Sequence, residues 1–107
     1  MHTTQGVQRG LYVEVESLHH IARLFFVGAD PVRLKILLTL RNRREACVTE
    51  LAHELRMSVA AVSHHLRILR ESRCLKTVRS GRTVCYQLQS GPFTRLVYAF
   101  LKERRAK

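Results

Sequence analysis

The segment "VSHHLRIL", residues 62–69, carries polar groups that are able to bind nucleic acid. They are a hydroxyl, two imidazoles and a guanidinium, on Ser63, His64, His65 and Arg67. Arginine can donate a fork of hydrogen bonds to a guanine edge or hold a phosphate, and serine serves either purpose. The spacing of the residues around these groups predicts which of them point the same way.

The apolar residues of this segment recur at helical spacing, at Val62, Leu66 and Leu69. At about 100° per residue they form a narrow stripe that can dock on a core. The opposite face carries small and polar residues, Ala60, Ser63, His64 and Arg67. We interpret the segment as a helix that docks with one face and reads a groove with the other; an ordinary solvated face is the alternative. His65 borders the stripe and is predicted to be packed and hydrogen-bonded.

A second, shorter helix is predicted just before the first. The segment "ELAHELR" has apolar residues at helical spacing, and Thr49 has the chemistry of its N-cap. Met57 lies in the turn, and Ser58 has the N-cap chemistry for the longer helix, which we expect to end near Glu71 or Ser72. Two short helices joined by such a turn form a helix-turn-helix.

The apolar period changes after the second helix. In "CLKTVRSGRTVCYQL" β-branched residues alternate, and "RSGR" supplies a turn, so the pattern predicts a two-stranded hairpin. Arg79 and Arg82 fall at its tip, where cations can straddle phosphates. The candidate DNA-binding residues are therefore Ser58, Ala60, Ser63, His64, Arg67, Arg79 and Arg82.

Three more helices complete the predicted architecture. The apolar pattern favours a helix over residues 11–27 and another over 31–40, with Asp30 as N-cap and Pro31 in the first helical position. A last helix covers about residues 92–102, where apolar residues follow the spacing of one face. The prediction is a mostly α fold with a small β-hairpin, a winged helix-turn-helix of about five helices and a two-stranded wing.

Length and charge agree with one small nucleic-acid-binding domain. The chain has 107 residues, and its 19 Lys and Arg exceed its 8 Asp and Glu, for a formal charge of +11. We expect a mobile arm over residues 1–10, one domain over 11–102 and a basic tail over 103–107. Such an excess of positive charge favours a polyanionic partner.

Other compartments and frameworks are not favoured. No apolar run approaches the roughly 20 residues that span a bilayer, and the first residues lack a signal pattern. We therefore expect a cytoplasmic protein without a membrane partner. An odd number of cysteines, 3, without a C-x-x-C motif makes a structural disulfide framework improbable.

The segments "DPVRLKILLTL", "CVTELAHELRMSVAAVSHHLRILRES" and "SGRTVCYQL" resemble the ArsR/SmtB family of winged-helix repressors. The resemblance covers roughly residues 18–90 without a gap. It implies a homodimer in which the first and last helices form the interface. It also implies a double-stranded operator with two-fold symmetry, and repression that an inducer relieves.

The apolar face of the last helix supports a dimer independently, because a stripe with two Phe would be a liability if left exposed. Packing of this stripe against the first helix within one chain is the alternative, and both can hold. The candidate interface residues are Leu18, Ile21, Phe25, Phe93, Leu96, Val97 and Phe100.

The sequence predicts that one family metal site is missing. Family members that bind metal on the last helix have Asp and His there, whereas residues 90–107 offer Glu103 as the only acid and no His or Cys. Since zinc, cobalt and nickel need several such ligands, we expect no metal on this helix. His19 and His20 are adjacent and cannot face the same way, so we expect one surface and one interface residue.

The cysteines are the remaining sensor candidates. A second family site uses thiolates before the recognition helix, and "ACVTEL" keeps Cys47 but has Thr49 at the second position. A soft metal at Cys47 would need further ligands, for which Glu50 and His2 are candidates. A thiol switch through Cys47 or Cys85 is an alternative: Cys85 is expected to be partly exposed in the hairpin. Cys74 is expected in the core.

Two other classes of protein are alternatives to a repressor. A winged helix can also serve as a protein- or RNA-interaction module without inducer sensing, although such modules usually lack this set of Ser, His and Arg groups. No Ser/His/acid or paired-carboxylate arrangement predicts an enzyme. The operator, the regulated genes, the inducer and the pairing of the cysteines stay open at the level of sequence.

Overall fold

The computed structural model describes the backbone of residues 2–106 and the side chains of residues 15–91, 93–100 and 102. Within this part of the chain, helices and strands alternate as a winged helix-turn-helix requires. The elements are α1 (His2–Gly28), α2 (Pro31–Arg43), β1 (Ala46–Cys47), α3 (Val48–Leu55), α4 (Val59–Glu71), β2 (Leu75–Ser80), β3 (Thr83–Leu88) and α5 (Pro92–Ala106). The predicted class, mostly helical with a small hairpin, is confirmed.

The core lies where α2, α3 and α4 pack against one another and against the sheet. Its largest fully buried side chains are aliphatic: Val27, Ile36, Leu37, Leu40, Leu51, Val62, Leu66, Leu69 and Leu75. The predicted stripe of α4 is part of this core, since its three residues are each 0% exposed. Docking through this stripe leaves the opposite face of α4 in solvent.

The sheet has three antiparallel strands in the order β1-β3-β2. The hairpin pairs Leu75 with Leu88 at its base and Ser80 with Thr83 at its tip, where Gly81 has φ +63°. The predicted hairpin and its turn are thus confirmed. Strand β1 was not predicted, because two residues are too short to show a period.

Helix α3 begins earlier than the sequence predicts, and Thr49 is wrong as its N-cap. The N-cap is Cys47, whose backbone is extended. Its N–H donates to Glu50 Oε1 at 2.9 Å, so this carboxylate reaches back over the first turn. That contact fixes Glu50 as the third helical residue and places Thr49 inside the helix.

The terminal helices are longer than predicted. The backbone of residues 2–10, expected to be an arm, continues α1, and the backbone of 103–106, expected to be a tail, continues α5. Adding a residue to a formed helix is easier than nucleating one, and Lys, Glu, Arg and Ala are good helix formers. The side chains of residues 1–14 and 103–107 lie outside the described part.

The N-cap predicted for α2 is confirmed. Asp30 Oδ1 accepts hydrogen bonds from Val32 N at 2.7 Å and Arg33 N at 3.3 Å. Desolvation opposes ionisation of this carboxyl, but the two backbone hydrogen bonds, with the nearby His65 and Arg33, outweigh it. The pKa of Asp30 is therefore lowered from its ordinary value.

Asp30→Ala should lower the free energy of unfolding by about 1 kcal/mol at neutral pH, the usual cost of losing an N-cap. Because the pKa of Asp30 is lower in the folded state, its ionised form stabilises above the unfolded pKa. That contribution is lost as pH falls through the folded value. Urea denaturation at neutral and acidic pH tests this, and Asp30→Asn is the control, since it keeps the cap oxygen without the charge. If Asp30→Ala lowered the free energy of unfolding equally at both pH values, the charged cap would not be the source of the stabilisation.

Candidate nucleic-acid interface

The exposed face of α4 is the centre of the candidate surface. Ser63, His64 and Arg67 are exposed, on the side opposite the buried stripe. Arg67 Nη2 lies 3.2 Å from His64 Nδ1, one turn away along the helix. A guanidinium has five N–H donors, so Arg67 keeps donors for a base edge or a phosphate while the imidazole steadies it.

The first turn of α4 adds small and apolar surface. Ser58 caps the helix, with its Oγ accepting from Ala61 N at 3.1 Å, and Ala60 is exposed beside it. Val59, in the same turn, is 46% exposed. The sequence misses Val59 because its angle on the helical wheel lies between the two faces. An exposed Val in a reading face can contact a thymine methyl group.

The turn between α3 and α4 contributes a cation that the sequence does not single out. Arg56 ends α3 in the left-handed region, at φ 55°, and is exposed. Its N–H donates to His53 O at 3.2 Å, which closes the turn. Glycine is the usual residue at such a position, so no sequence pattern signals an arginine there. The side chain adds positive charge beside the start of α4.

The wing presents its cations at an exposed tip. Arg79, Gly81 and Arg82 are all exposed around the turn of the hairpin. Among the described side chains neither arginine has an acidic group within ion-pair distance. Unpaired cations on a protruding hairpin can approach phosphate oxygens without first breaking an internal contact.

Part of the positive charge is engaged in ion pairs within the chain. Arg43 Nη2 lies 2.7 Å from Glu50 Oε2, and its Nη1 lies 3.4 Å from Glu54 Oε2. The hydrogen bond from Cys47 N and then the contact with Arg43 lower the pKa of Glu50. Arg43 therefore ties the end of α2 to α3 and positions the helix-turn-helix.

A buried arginine connects α1, α2 and α4. Arg33 is 6% exposed, and its Nε and Nη2 donate to Val27 O at 2.9 Å and Phe26 O at 3.0 Å. Its Nη1 lies 3.3 Å from His65 Nδ1, which confirms His65 as a packed, hydrogen-bonded residue. Sequence reasoning missed Arg33 because an arginine among helical apolar residues looks like any exposed one.

Most of the predicted interface residues lie exposed on α1 and α5 of the single chain. The strongly exposed ones are Leu18 at 61%, Ile21 at 46%, Phe25 at 70%, Leu96 at 64% and Phe100 at 66%. Val97 and Phe93 are half-buried, and Phe93 packs against the core and beside Gly28. Packing within the chain, one alternative left open by the sequence, thus applies to Phe93. Phe26, 58% exposed, was not in the predicted set.

The structure pairs two cysteines that the sequence left unpaired. Cys47 on β1 and Cys85 on β3 face each other across the sheet and form a disulfide. Cys85 is 6% exposed, so its expected partial exposure is wrong, because β3 is the central strand. Cys74 lies in the core as predicted, at 2% exposure, and burial raises the pKa of its thiol to about 11.

The histidines outside α4 form no metal cluster in the described part of the chain. His19 and His20 are both exposed on α1, and the side chain of His2 lies outside the described residues. No three His, Cys, Asp or Glu side chains among those described lie together as a metal site. A membrane-spanning helix is likewise not found among the described residues.

The sequence of this chain is similar to those of known regulatory proteins. A family model described as bacterial regulatory protein, arsR family, matches residues 30–77. A transcriptional repressor SmtB homolog from Synechocystis sp. is 42% identical over 76 residues, which are 71% of this chain but only 57% of the relative. A cadmium resistance transcriptional regulatory protein CadC homolog from Staphylococcus aureus is 35% identical over 85 residues, 78% of this chain and 70% of the relative.

A solved structure shares the fold. The homodimeric winged helix-turn-helix DNA-binding domain Mb0332 from Mycobacterium bovis superposes with a TM-score of 0.77 at 23% identity, covering 86% of this chain and 84% of that one. The predicted winged helix-turn-helix is thus confirmed. With the family model and the CadC homolog in agreement, the chain belongs to the ArsR family, which consists of bacterial regulatory proteins and not of enzymes.

Proposed function

We propose that this protein is a sequence-specific DNA-binding transcriptional repressor that acts in the cytoplasm as a homodimer. The observation that carries the proposal is the exposed face of α4, where Ser63, His64 and Arg67 stand opposite the docking stripe. In a helix-turn-helix the second helix enters the major groove. Arg67 reads a base edge there, and Ser58 and Ala60 allow the start of the helix to approach closely.

The charge of the protein supports a DNA partner. The formal charge is +11 per chain, and Arg79 and Arg82 extend it beyond the body of the fold on the wing. These two cations contact phosphates beside the groove that α4 occupies and fix the register of the protein without reading sequence. Arg56 adds a third contact of this kind.

The homodimer is supported by the exposed apolar side chains on α1 and α5. Phe25 and Phe100 are each about two thirds exposed, at 70% and 66%. A second copy covers them and carries its own α4. Two reading helices related by two-fold symmetry bind half-sites about 34–36 Å apart, so the operator is a two-fold symmetric duplex.

The inducer acts on the cysteines in this proposal. The staphylococcal relative is named for cadmium resistance, and soft metals and thiol-reactive compounds share a preference for sulfur. Cys47 and Cys85 are the candidate sensors, since their sulfurs meet between β1 and β3, whereas Cys74 is a free thiol buried in the core. Release of the repressor from its operator follows from a change at these sulfurs.

Salt dependence of DNA binding tests the proposed function. A dimer that neutralises several phosphates should lose affinity steeply with salt, with a log–log slope of about −0.9 per phosphate and around −5 or steeper in total. Fluorescence anisotropy with duplexes from the protein's own promoter region, at several salt concentrations, measures it. A flat slope, tight binding by a monomer, or equal preference for RNA would favour the interaction module over the repressor.

Arg67→Ala should reduce discrimination between operator and unrelated duplex by about 1–3 kcal/mol, the usual value of a base-edge contact. His64→Ala should have the same direction, because His64 steadies Arg67 at 3.2 Å. Arg82→Ala is the matched control, because the loss of a phosphate contact weakens binding to all DNA sequences alike. Unchanged specific and non-specific affinity in Arg67→Ala would show that this face of α4 does not enter the groove.

A further inference from the structure

Cys47 and Cys85 join two parts of the candidate interface that are distant in sequence. Their residues are paired in the β1–β3 register, and the disulfide closes over a sequence separation of 38. Cys47 is also the N-cap of α3, and β3 is one of the two strands of the wing. One covalent bond thus connects the helix-turn-helix to the wing.

The remaining contact between β1 and β3 is small. The register pairs only Ala46 with Tyr86 and Cys47 with Cys85, whereas β2 and β3 pair over six positions from Leu75↔Leu88 to Ser80↔Thr83. The base of the wing packs on the core through Leu75 and Leu88, so without the disulfide it is the tip of the wing that can adjust to a groove. The disulfide adds a covalent bond between β3 and the start of α3, which restrains that adjustment.

The surroundings of the pair separate the roles of the two sulfurs. Cys47 is half-buried at the edge strand, whereas Cys85 is 6% exposed on the central strand. A dissolved oxidant therefore meets the sulfur of Cys47 first.

We propose that Cys47 and Cys85 form a redox modification site at which peroxide closes the disulfide and weakens DNA binding. This proposal rests on the proposed function and deepens it, since it names the two sulfurs as one sensor and peroxide as the class of inducer. The reduced dithiol is the repressing form. A restrained wing no longer adapts to the phosphates beside α4, so the operator is released.

The chemistry balances with one peroxide for each pair of thiols. The Cys47 thiolate attacks one oxygen of hydrogen peroxide and breaks the O–O bond, which leaves a sulfenic acid and, after proton transfer, one water. The sulfur of Cys85 then attacks the sulfur of Cys47 and displaces a second water. Two electrons pass from the two sulfurs to the peroxide, and a dithiol reductant reverses the step.

Two measurements on the full chain test the proposal separately. Mass spectrometry after treatment with hydrogen peroxide should find the Cys47–Cys85 peptide pair within one chain, and dithiothreitol should remove it. Anisotropy with operator duplex should show affinity lower by about tenfold or more in the oxidised form, within the range usual for allosteric coupling. Cys47→Ser and Cys85→Ser should each bind the duplex with the affinity of the reduced protein, and peroxide should not change that affinity.

Cys74→Ala is the matched control, because its thiol lies in the core at 2% exposure and takes no part in the pair. This variant should keep the full response to peroxide. Equal or tighter DNA binding by the oxidised form, or no intrachain disulfide by mass, would overturn the proposal. Failure of the reduced protein to bind any duplex would instead refute the repressor function. Mass spectrometry would still show in that case whether peroxide forms the disulfide.

Discussion

Phe100→Asp should leave a folded protein that is monomeric and has lost tight binding to its operator. Phe100 is 66% exposed in the single chain, so replacing it removes little packing within the fold. In the proposed dimer the same side chain is buried against the partner. Burying a Phe contributes about 1.5–3 kcal/mol, and two-fold symmetry makes each substitution count twice.

The expected loss of dimer stability is therefore at least about 3–6 kcal/mol, before the cost of desolvating a carboxylate is added. This loss corresponds to roughly a hundredfold to ten-thousandfold rise in the dimer dissociation constant. Sedimentation equilibrium across a range of concentrations measures the constant, and circular dichroism checks the fold. Operator affinity should fall in parallel, since a monomer contacts one half-site.

Phe100→Leu is the matched control, because it keeps an apolar side chain of similar reach and should stay dimeric. Phe25→Asp on α1 should reproduce the effect from the other helix, as Phe25 is 70% exposed. Phe93 should behave differently: it packs beside Gly28 and against the core, so its loss should lower the stability of the single chain. A Phe100→Asp protein that dimerises like the original would place the interface elsewhere.

The sequence predicts best those elements whose pattern is local. The stripe of Val62, Leu66 and Leu69 predicts both the buried and the exposed face of α4, because the helical period fixes the side to which each position points. The hairpin follows from alternation around the turn at Gly81. The polar face of α4 and the wing tip therefore lie on the surface, as they do in the prediction.

Contacts between distant segments are what the sequence does not predict. Strand β1 exists because Ala46 and Cys47 pair with β3, some 40 residues further along the chain. The same pairing buries Cys85, and neither fact has a local signal. The N-cap at Cys47 is missed for a different reason: its hydrogen bond to Glu50 Oε1 is local, but cysteine is not among the residues usually found at an N-cap.

The count of basic residues overstates the charge available to DNA. Arg43 is engaged with Glu50 and Glu54, and Arg33 is buried. The guanidinium of Arg41 lies over the ring of Tyr98, 4.7 Å from its centroid. We therefore expect the salt slope of DNA binding to depend on fewer cations than the composition contains, chiefly those of α4, the turn at Arg56 and the wing.

Arg33→Ala should be the most destabilising substitution of a charged residue in the described part of the chain. Its guanidinium satisfies the carbonyls of Phe26 and Val27 at the end of α1 and lies 3.3 Å from His65 Nδ1. Hydrogen bonds to charged groups contribute about 1.5–3 kcal/mol each. Since two of them are lost and a cavity remains in a buried site, we expect a loss of about 3 kcal/mol or more.

In a domain of this size, that loss corresponds to a fall in Tm of about 10 °C or more. Because a dimer unfolds in a concentration-dependent way, the melting curves are compared at one protomer concentration. Lys35→Ala, an exposed site on the same helix, is the control and should stay within about 0.5 kcal/mol. If Arg33→Ala melted at the same temperature as Lys35→Ala, the three contacts of Arg33 would not be what holds α1 to α4. The position of α1, with its exposed apolar side chains, relative to α4 would then have to depend on the aliphatic core alone.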